Sequence, residues 1–208
     1  YDWSINDTFT LSPGLRYSQV TRHLNAAPNK VSLAPLYTKA KYSATLPSLT
    51  LHAWISDKWA AYAQVAKGFL APPIDVIETV GSKSLDPETT TNFQIGTSYA
   101  SDKYTFGADV YYIDFSNLLT VTEVSTDLGN EDTYINAGGA IYSGVEFEGT
   151  FAIPGKLSLY GNASYNKATY KHSSVQIAGT PKITAALGLL YGGDEGLYGS
   201  LMGKFSGM

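Results

Sequence analysis

The stretch YTFGADVYY, residues 104–112, shows the pattern that recurs along most of this chain. Apolar side chains such as Phe106 and Val110 occupy every second position, and polar or small residues such as Asp109 occupy the positions between them. Successive side chains of a β-strand point to opposite faces of its sheet. The alternation therefore predicts a strand with one apolar face and one polar face.

The same alternation recurs in other parts of the chain. Equivalent apolar rows are Phe9, Leu11, Leu15 and Tyr17; Phe93, Ile95 and Tyr99; Ile141, Val145, Phe147 and Phe151; Leu157, Leu159, Ala163 and Tyr165; and Ile183, Ala185, Leu187, Leu189 and Tyr191. These rows carry no charge, whereas Arg16, Asp109, Glu146, Glu148 and Lys204 have the opposite parity. A Lys or Arg facing lipid near the midplane of a bilayer costs about 2 to 4 kcal/mol. The pattern thus predicts strands that cross a membrane.

Short and long connections alternate between the predicted strands. Short turns are expected at residues 5–7, 56–58, 101–103, 154–156 and 192–196, and longer segments at residues 22–43, 70–86, 125–133 and 171–180. This alternation is typical of an antiparallel barrel whose two ends face different compartments. We predict an all-β chain of about nine to ten antiparallel strands from a transmembrane β-barrel. Because an open sheet edge in lipid would leave its backbone groups unpaired, we expect further strands to continue the sheet.

Composition supports this prediction and excludes several classes of function. Aromatic residues make up 13% of the chain and include 16 tyrosines. Charged residues make up only 15%, compared with about 25% in a typical soluble domain. A net charge of -4 without a basic cluster argues against nucleic-acid binding. The absence of cysteine excludes disulfides, thiolate metal sites and cysteine nucleophiles. Composition alone leaves a soluble β-sandwich as an alternative.

Four segments resemble the barrel of TonB-dependent receptors. They are residues 59–72 (WAAYAQVAKGFLAP), 85–96 (LDPETTTNFQIG), 134–148 (YINAGGAIYSGVEFE) and 180–189 (TPKITAALGL). Their order and spacing are similar to those of the family. Two residues depart from its pattern: Leu70 stands where the family often has Arg, and Gln94 where it often has Glu.

The resemblance implies that residues 1–208 form part of a receptor barrel of about twenty-two strands in the bacterial outer membrane. A plug domain, which is absent from this chain, would fill the lumen and contact the TonB complex. The implied function is energy-coupled uptake of a scarce nutrient, with a ferric siderophore as the leading ligand. No cofactor is expected, since iron would arrive in its chelator as cargo. The alternatives are a passive porin-like barrel and a soluble β-sandwich adhesin.

Two groups of residues are candidates for binding. Basic and aromatic residues on the outer loops are expected to contact the ligand, namely Arg22, His23, Tyr37, Tyr134, Tyr170 and His172. Glu146 and Glu148 lie two residues apart on one strand, so both face the lumen about 7 Å apart. Paired carboxylates can act in acid–base catalysis, but pairing with basic residues of the plug or of adjoining strands is the favoured prediction. No catalytic triad, metal-ligand spacing or phosphate loop occurs, so we predict neither an enzyme nor a metal site.

Overall fold

The computed structural model describes residues 1–27, 35–78, 85–126, 129–192 and 196–207. The secondary-structure elements are β1 (Trp3–Ser4), β2 (Phe9–Ala26), β3 (Leu36–Ser56), β4 (Trp59–Leu70), α1 (Ile74–Glu78), β5 (Glu88–Ala100), β6 (Tyr104–Ser116), β7 (Leu119–Thr126), β8 (Gly129–Asn136), β9 (Gly139–Ile153), β10 (Leu157–Tyr170), β11 (Ile183–Tyr191) and β12 (Gly199–Gly207).

Ten of the strands form one antiparallel sheet. Their order is β1-β2-β3-β4-β5-β6-β9-β10-β11-β12, and β7 and β8 form a separate hairpin inserted between β6 and β9. Apart from this insertion, each strand pairs with the strand that follows it in the chain. The all-β antiparallel prediction is confirmed, and the large sheet has the predicted number of strands.

The strand register gathers the apolar side chains on one face. A single cross-strand row contains Leu11, Leu51, Ala63, Ile95, Val110, Val145, Tyr165 and Ile183. The next row, on the opposite face, contains Thr10, His52, Tyr62, Gly96, Asp109, Glu146, Ser164 and Thr184. Apolar and polar residues are therefore separated across eight neighbouring strands.

Side-chain exposure shows which face is convex. Along the outer half of β3, residues with the parity of Leu51 are exposed, while those with the parity of His52 are half-buried. Side chains diverge on the convex side of a curved sheet and crowd together on the concave side, so the apolar face is convex. Ile95 is 63% exposed and Val110 is 50% exposed. A continuous apolar surface of this extent indicates contact with lipid.

The most deeply buried residues lie near one end of the sheet. Leu24, Ala71, Pro72, Val76 and Ile77 are buried there. The helix α1 follows β4 in the chain but contacts β2, and Leu24 of β2 has the parity of the concave face. The segment after β4 thus folds inward over this end of the concave face. The described part of the chain contains no helix long and apolar enough to cross a membrane.

Two of the predicted long connections are wrong in extent. β2 and β3 continue far into the predicted loop at residues 22–43, and His23 pairs with Lys39. Likewise, most of the predicted loop at residues 125–133 belongs to the hairpin of β7 and β8. Both extensions have polar residues on both faces. Outside a membrane no lipid requires one face to be apolar, so the alternation that identified the other strands is missing there.

The remaining connections agree with the prediction. Turns or bends separate the strands at residues 5–7, 56–58, 101–103 and 154–156, and residues 171–180 contain no long strand. Between β4 and β5, the described residues 71–78 and 85–87 contain no strand but include the unpredicted helix α1. Of the turn predicted at residues 192–196, residues 193–195 lie outside the described part of the chain.

Two alanines on β4 allow a test of which face of the sheet contacts lipid. Ala63 lies in the apolar row, whereas Ala66 lies on the concave face opposite Asn92. In a complete barrel folded into lipid bilayers, we expect Ala63→Lys to lower the free energy of unfolding by about 2 to 4 kcal/mol. Ala66→Lys should cost less than about 1 kcal/mol, because a lysine that faces the lumen does not enter lipid.

Urea titration of both variants measures this difference. Equal losses in the two variants would mean that the face of Ala63 does not contact lipid.

Candidate functional site

Three carboxylates meet in the middle of the concave face. Asp109 of β6 pairs directly with Glu146 of β9, and Glu148 lies two residues further along β9. Directly paired residues on neighbouring strands have Cβ atoms about 4.5 to 5.5 Å apart, and alternate residues of one strand are about 7 Å apart. We call Asp109, Glu146 and Glu148 the acidic cluster.

No cation compensates the acidic cluster within the described residues. The ion pair seen among the described residues lies elsewhere: it joins Lys171 Nζ to Asp114 Oδ1 at 2.6 Å on the convex face of the sheet. Oδ1 of Asp109 is buried and has no hydrogen-bond partner among the described residues. A buried acceptor without a partner is energetically costly.

The acidic cluster lines a cleft of about 410 Å³ on the concave face. Its other polar lining residues include Tyr62, Ser98, Asn162, Ser164 and Thr184. Ser164 and Thr184 share a hydrogen bond of 2.6 Å between their hydroxyl oxygens. The surroundings of the cluster are therefore polar, which suits a hydrated or charged partner.

Two tyrosines lie flat against glycines beside the cluster. Tyr62 pairs with Gly96 and Tyr111 pairs with Gly144. A Cβ atom at Gly96 would lie 2.5 Å from the Tyr62 ring, and one at Gly144 would lie 2.7 Å from the Tyr111 hydroxyl. The Tyr111 hydroxyl donates a hydrogen bond to Asn166 Oδ1 at 3.0 Å. Glycine thus lets each ring pack on the wall instead of projecting into the lumen.

His52 occupies the same face of the sheet. Its ring stacks on Trp54, with centroids 6.5 Å apart, and lies 6.4 Å from the ring of Tyr62. His52 therefore packs between aromatic side chains on the concave face.

A hydrogen-bond network fastens the hairpin of β7 and β8 to the segment before β5. Asn136 accepts a hydrogen bond from Asp86 N at 2.8 Å and donates to Asp86 O at 3.0 Å and to Asn117 O at 2.9 Å. Glu88 Oε1 accepts a hydrogen bond from Leu119 N at 2.8 Å. These bonds hold two long connections together at one rim. Sequence reasoning missed Asn136, whose only signal was its place before the Ala-Gly-Gly of residues 137–139.

Two of the predicted ligand residues come together at this rim. Tyr170 and His172 line a cleft of about 490 Å³ at the base of the hairpin, together with Ser116, Asn117, Thr120 and Lys171. His172 has a φ of 66°, in the left-handed region that side chains other than glycine rarely adopt. The volume lies in the range of small-molecule sites.

The other four predicted ligand residues are dispersed. Arg22 has the parity of the concave face of β2, and its Nε is buried without a hydrogen-bond partner among the described residues. His23 and Tyr37 have the parity of the convex face, where Tyr37 is 73% exposed. Five of the six candidates were predicted on outer loops but lie on strands: Arg22 and His23 on β2, Tyr37 on β3, Tyr134 on β8 and Tyr170 at the end of β10. The reason is again the absence of apolar alternation in these outer strands.

Among the described residues, no group of three His, Asp or Glu side chains is arranged to hold a metal ion. The polar site of this chain therefore consists of the acidic cluster on the concave face and the cleft at the rim.

The comparison with known families decides the identity of this sheet. The family described as "TonB dependent receptor-like, beta-barrel" matches residues 1–207. The chain belongs to the TonB-dependent receptor β-barrel family. Such barrels lie in the bacterial outer membrane, and the family consists of transporters rather than enzymes. Neither a porin-like barrel nor a soluble adhesin explains this match.

Solved structures have the same fold at low sequence identity. The copper transporter OprC has a TM-score of 0.74 and 17% identity, over 91% of this chain and 31% of its own. The ferric yersiniabactin uptake receptor FyuA from Yersinia pestis has a TM-score of 0.67 and 21% identity, and the match covers 99% of this chain and 32% of FyuA. The siderophore receptor PiuA from Acinetobacter baumannii has a TM-score of 0.70 and 20% identity, and the match covers 91% of this chain and 30% of PiuA. The chain spans about a third of the length of these receptors.

The rim network of this TonB-dependent receptor barrel leads to a prediction for Asn136→Ala. The substitution removes both the acceptor for Asp86 N and the donors to the carbonyls of Asp86 and Asn117. We expect the amides of β7 and β8 to exchange with solvent at least about tenfold faster, since each lost bond costs about 1 kcal/mol.

Hydrogen exchange measured by mass spectrometry checks this expectation. Asn130→Ala is the matched control, because Asn130 lies on the same hairpin and accepts a single exposed hydrogen bond from Ser125. Unchanged exchange in Asn136→Ala would show that the network does not hold the hairpin.

Proposed function

We propose that this chain forms part of the lumen wall and outer rim of a receptor that imports a scarce nutrient, with a ferric siderophore as its ligand. Uptake would be driven by the TonB complex acting on a plug domain in the lumen. The observation that carries the proposal is the acidic cluster, which lies on the concave face of a receptor barrel without a compensating cation in the described residues.

The acidic cluster suits docking of a basic surface of the plug. Two carboxylates opposite each other repel, and a cation between them removes this repulsion. An arginine of the plug can donate to Glu146 and to the unpartnered Oδ1 of Asp109 at the same time, because its guanidinium presents five N–H donors. Glu148 extends the acidic surface along β9. This assigns the predicted plug contact to three carboxylates rather than two.

The double substitution Asp109→Asn with Glu146→Gln tests plug docking in the complete receptor. Hydrogen bonds to charged groups are worth about 1.5 to 3 kcal/mol each. We expect the variant to lower the urea concentration at which a protease cleaves the plug by about 1 M, given an unfolding slope of about 2 kcal/mol per molar urea.

The chain provides a control of matching geometry. Glu123 and Asp132 also form a directly paired carboxylate couple, but on the outer hairpin of β7 and β8. Glu123→Gln with Asp132→Asn should leave cleavage of the plug unchanged. If both double variants shift the midpoint equally, the plug does not dock on Asp109 and Glu146.

A ligand position at the outer rim is the second part of the proposal. The cleft beside Tyr170 and His172 combines an aromatic face with several hydroxyl and amide groups, which suits a compact polar chelate. Arg22, on the concave face of β2, adds a cation near the mouth. The names of two structural neighbours, the yersiniabactin receptor and PiuA, support a siderophore, although identities of 21% and 20% relate the folds only.

Growth of a receptor-deletion strain on ferric siderophores tests the uptake function. The complete receptor is expressed in iron-limited cells, with and without a functional TonB complex, and each of a panel of ferric siderophores is offered as the sole iron source. We expect at least one of them to support growth only when both receptor and TonB are present. Growth that is independent of TonB would instead indicate a passive barrel.

The rim cleft is tested with the siderophore that supports growth. Tyr170→Ala with His172→Ala should raise the half-saturating concentration for uptake at least about tenfold, corresponding to about 1.4 kcal/mol of binding free energy. Tyr37→Ala removes another outer tyrosine, which is exposed on the convex face of β3, and should change uptake less than about twofold. The reverse order of effects would exclude the cleft beside Tyr170 and His172 as the ligand position.

A further inference from the structure

The concave face becomes apolar in one region near the strand ends that join the long connections. The row that lies four residues beyond Asp109 contains Gly14, Ser48, Ala66 and Asn92 on β2 to β5, and Ile113, Tyr142 and Ala168 on β6, β9 and β10. The next row on this face contains Gly68 and Thr90, followed by Phe115, Ala140 and Tyr170. We call Ile113, Phe115, Ala140, Tyr142, Ala168 and Tyr170 the aromatic patch.

The rings of the aromatic patch lie among two small residues. The ring centroids of Phe115 and Tyr142 are 5.0 Å apart, and the two ring planes are inclined by 50°. Ala140 lies between Phe115 and Tyr170 in its row, and both Ala140 and Ala168 are fully buried. Phe115 and Tyr142 are half-buried, whereas Tyr170 is exposed. The patch therefore presents ring surface to the lumen above a closely packed floor.

An apolar region is unexpected on the inside of a membrane barrel. The interior of such barrels is polar, and this wall is polar beside the patch, where Asn92 and Thr90 occupy the same two rows on β5. The patch contains no charged side chain, and the opposite, convex face already supplies the surface that contacts lipid. A contiguous apolar region that does not face lipid indicates a binding surface.

The position of the patch favours the imported ligand over the plug as its occupant. Long connections of bacterial barrels face the outside of the cell, and Tyr170 belongs both to the patch and to the cleft of about 490 Å³ at the outer rim. The patch therefore continues that cleft into the lumen. Glu146, where we place the basic surface of the plug, lies four residues below Tyr142, or about 13 Å. A ligand that enters from the rim reaches the uncharged patch before it reaches the carboxylates.

We propose that the aromatic patch binds planar aromatic rings of a ferric chelate, so that the ligand of this receptor is a siderophore with catecholate or phenolate groups. This inference rests on the proposed function and adds the chemical class of the ligand. Aromatic rings prefer offset-stacked or edge-to-face contacts, with centroids about 4.5 to 7 Å apart. Phe115 and Tyr142 contact each other at such a distance, and a ring of the ligand beside them gains the same kind of contact. A hydroxamate chelate has no ring and gains only the burial of its aliphatic chains.

Uptake of iron delivered by two classes of chelate tests this proposal. The complete receptor is expressed in cells with a functional TonB complex, and uptake is measured with a ferric tris-catecholate and with a ferric trihydroxamate. We expect the half-saturating concentration to be at least about tenfold lower for the catecholate. Phe115→Leu with Tyr142→Leu removes both rings but keeps the patch apolar. This variant should raise the half-saturating concentration at least about tenfold for the catecholate and less than about twofold for the hydroxamate.

His52 and Trp54 provide the matched control. Their rings also stack on the concave face, but they lie on β3, away from the patch. His52→Leu with Trp54→Leu should change either half-saturating concentration by less than about twofold.

Three results would contradict the proposal in different ways. Preference for the hydroxamate, or no uptake of the catecholate, would overturn the ligand class, even where the growth panel shows TonB-dependent uptake of another chelate. Equal losses for both chelates in the variant of Phe115 and Tyr142, or cleavage of its plug at a lower urea concentration, would assign the patch to the fold or to the plug. Uptake of both chelates without TonB would refute the proposed function, and this inference with it.

Discussion

Backbone pairing within the sheet is the constraint on which the rest of this structure depends. Inside lipid, each amide and carbonyl must find its partner on a neighbouring strand, because no water is available. The long strands accordingly pair with each other residue by residue, and the register shift in β3, between Trp54 and Ser56, lies beside a turn. Once pairing is continuous, the parity of every side chain is fixed. A residue such as Val110 then faces lipid and its neighbour Asp109 faces the lumen.

Fixed parity divides the electrostatics of this receptor wall between its two faces. Asp109, Glu146 and Glu148 lie on the concave side, where a protein partner can fill the lumen, whereas the uncharged row that contains Val110 and Val145 lies on the convex side. A slip of one residue in β6 or β9 would exchange these faces and expose carboxylates to lipid. The glycines opposite Tyr62 and Tyr111 serve the same arrangement, because they keep both rings against the wall.

The sequence was sufficient for the parts of the fold that lie in lipid. In that region one face of the sheet contacts lipid and the other faces the lumen, which produces the alternation of apolar and polar residues around Val110 and Ile95. The strands, their two faces and the short turns could therefore be predicted. It was insufficient for the outer ends of β2 and β3 and for β7 and β8, since both of their faces meet water and carry polar residues. The carboxylates Glu146 and Glu148 could be assigned to the lumen by parity. Asp109 became the third member only through the pairing of β6 with β9, which are separated in the chain by a hairpin. The role of Asn136 could not be predicted either, because its hydrogen-bond partners lie on segments distant in sequence.

The most direct test of this account is a cysteine scan of residues 108–113 in β6 of the complete receptor, in intact outer membranes. The chain itself contains no cysteine, so each introduced thiol reports one position. A lipid-soluble reagent should label positions 108, 110 and 112, while positions 109, 111 and 113 should resist it and react with a small water-soluble reagent. Labelling without a period of two would contradict the assignment of the convex face to lipid and of the concave face to the lumen.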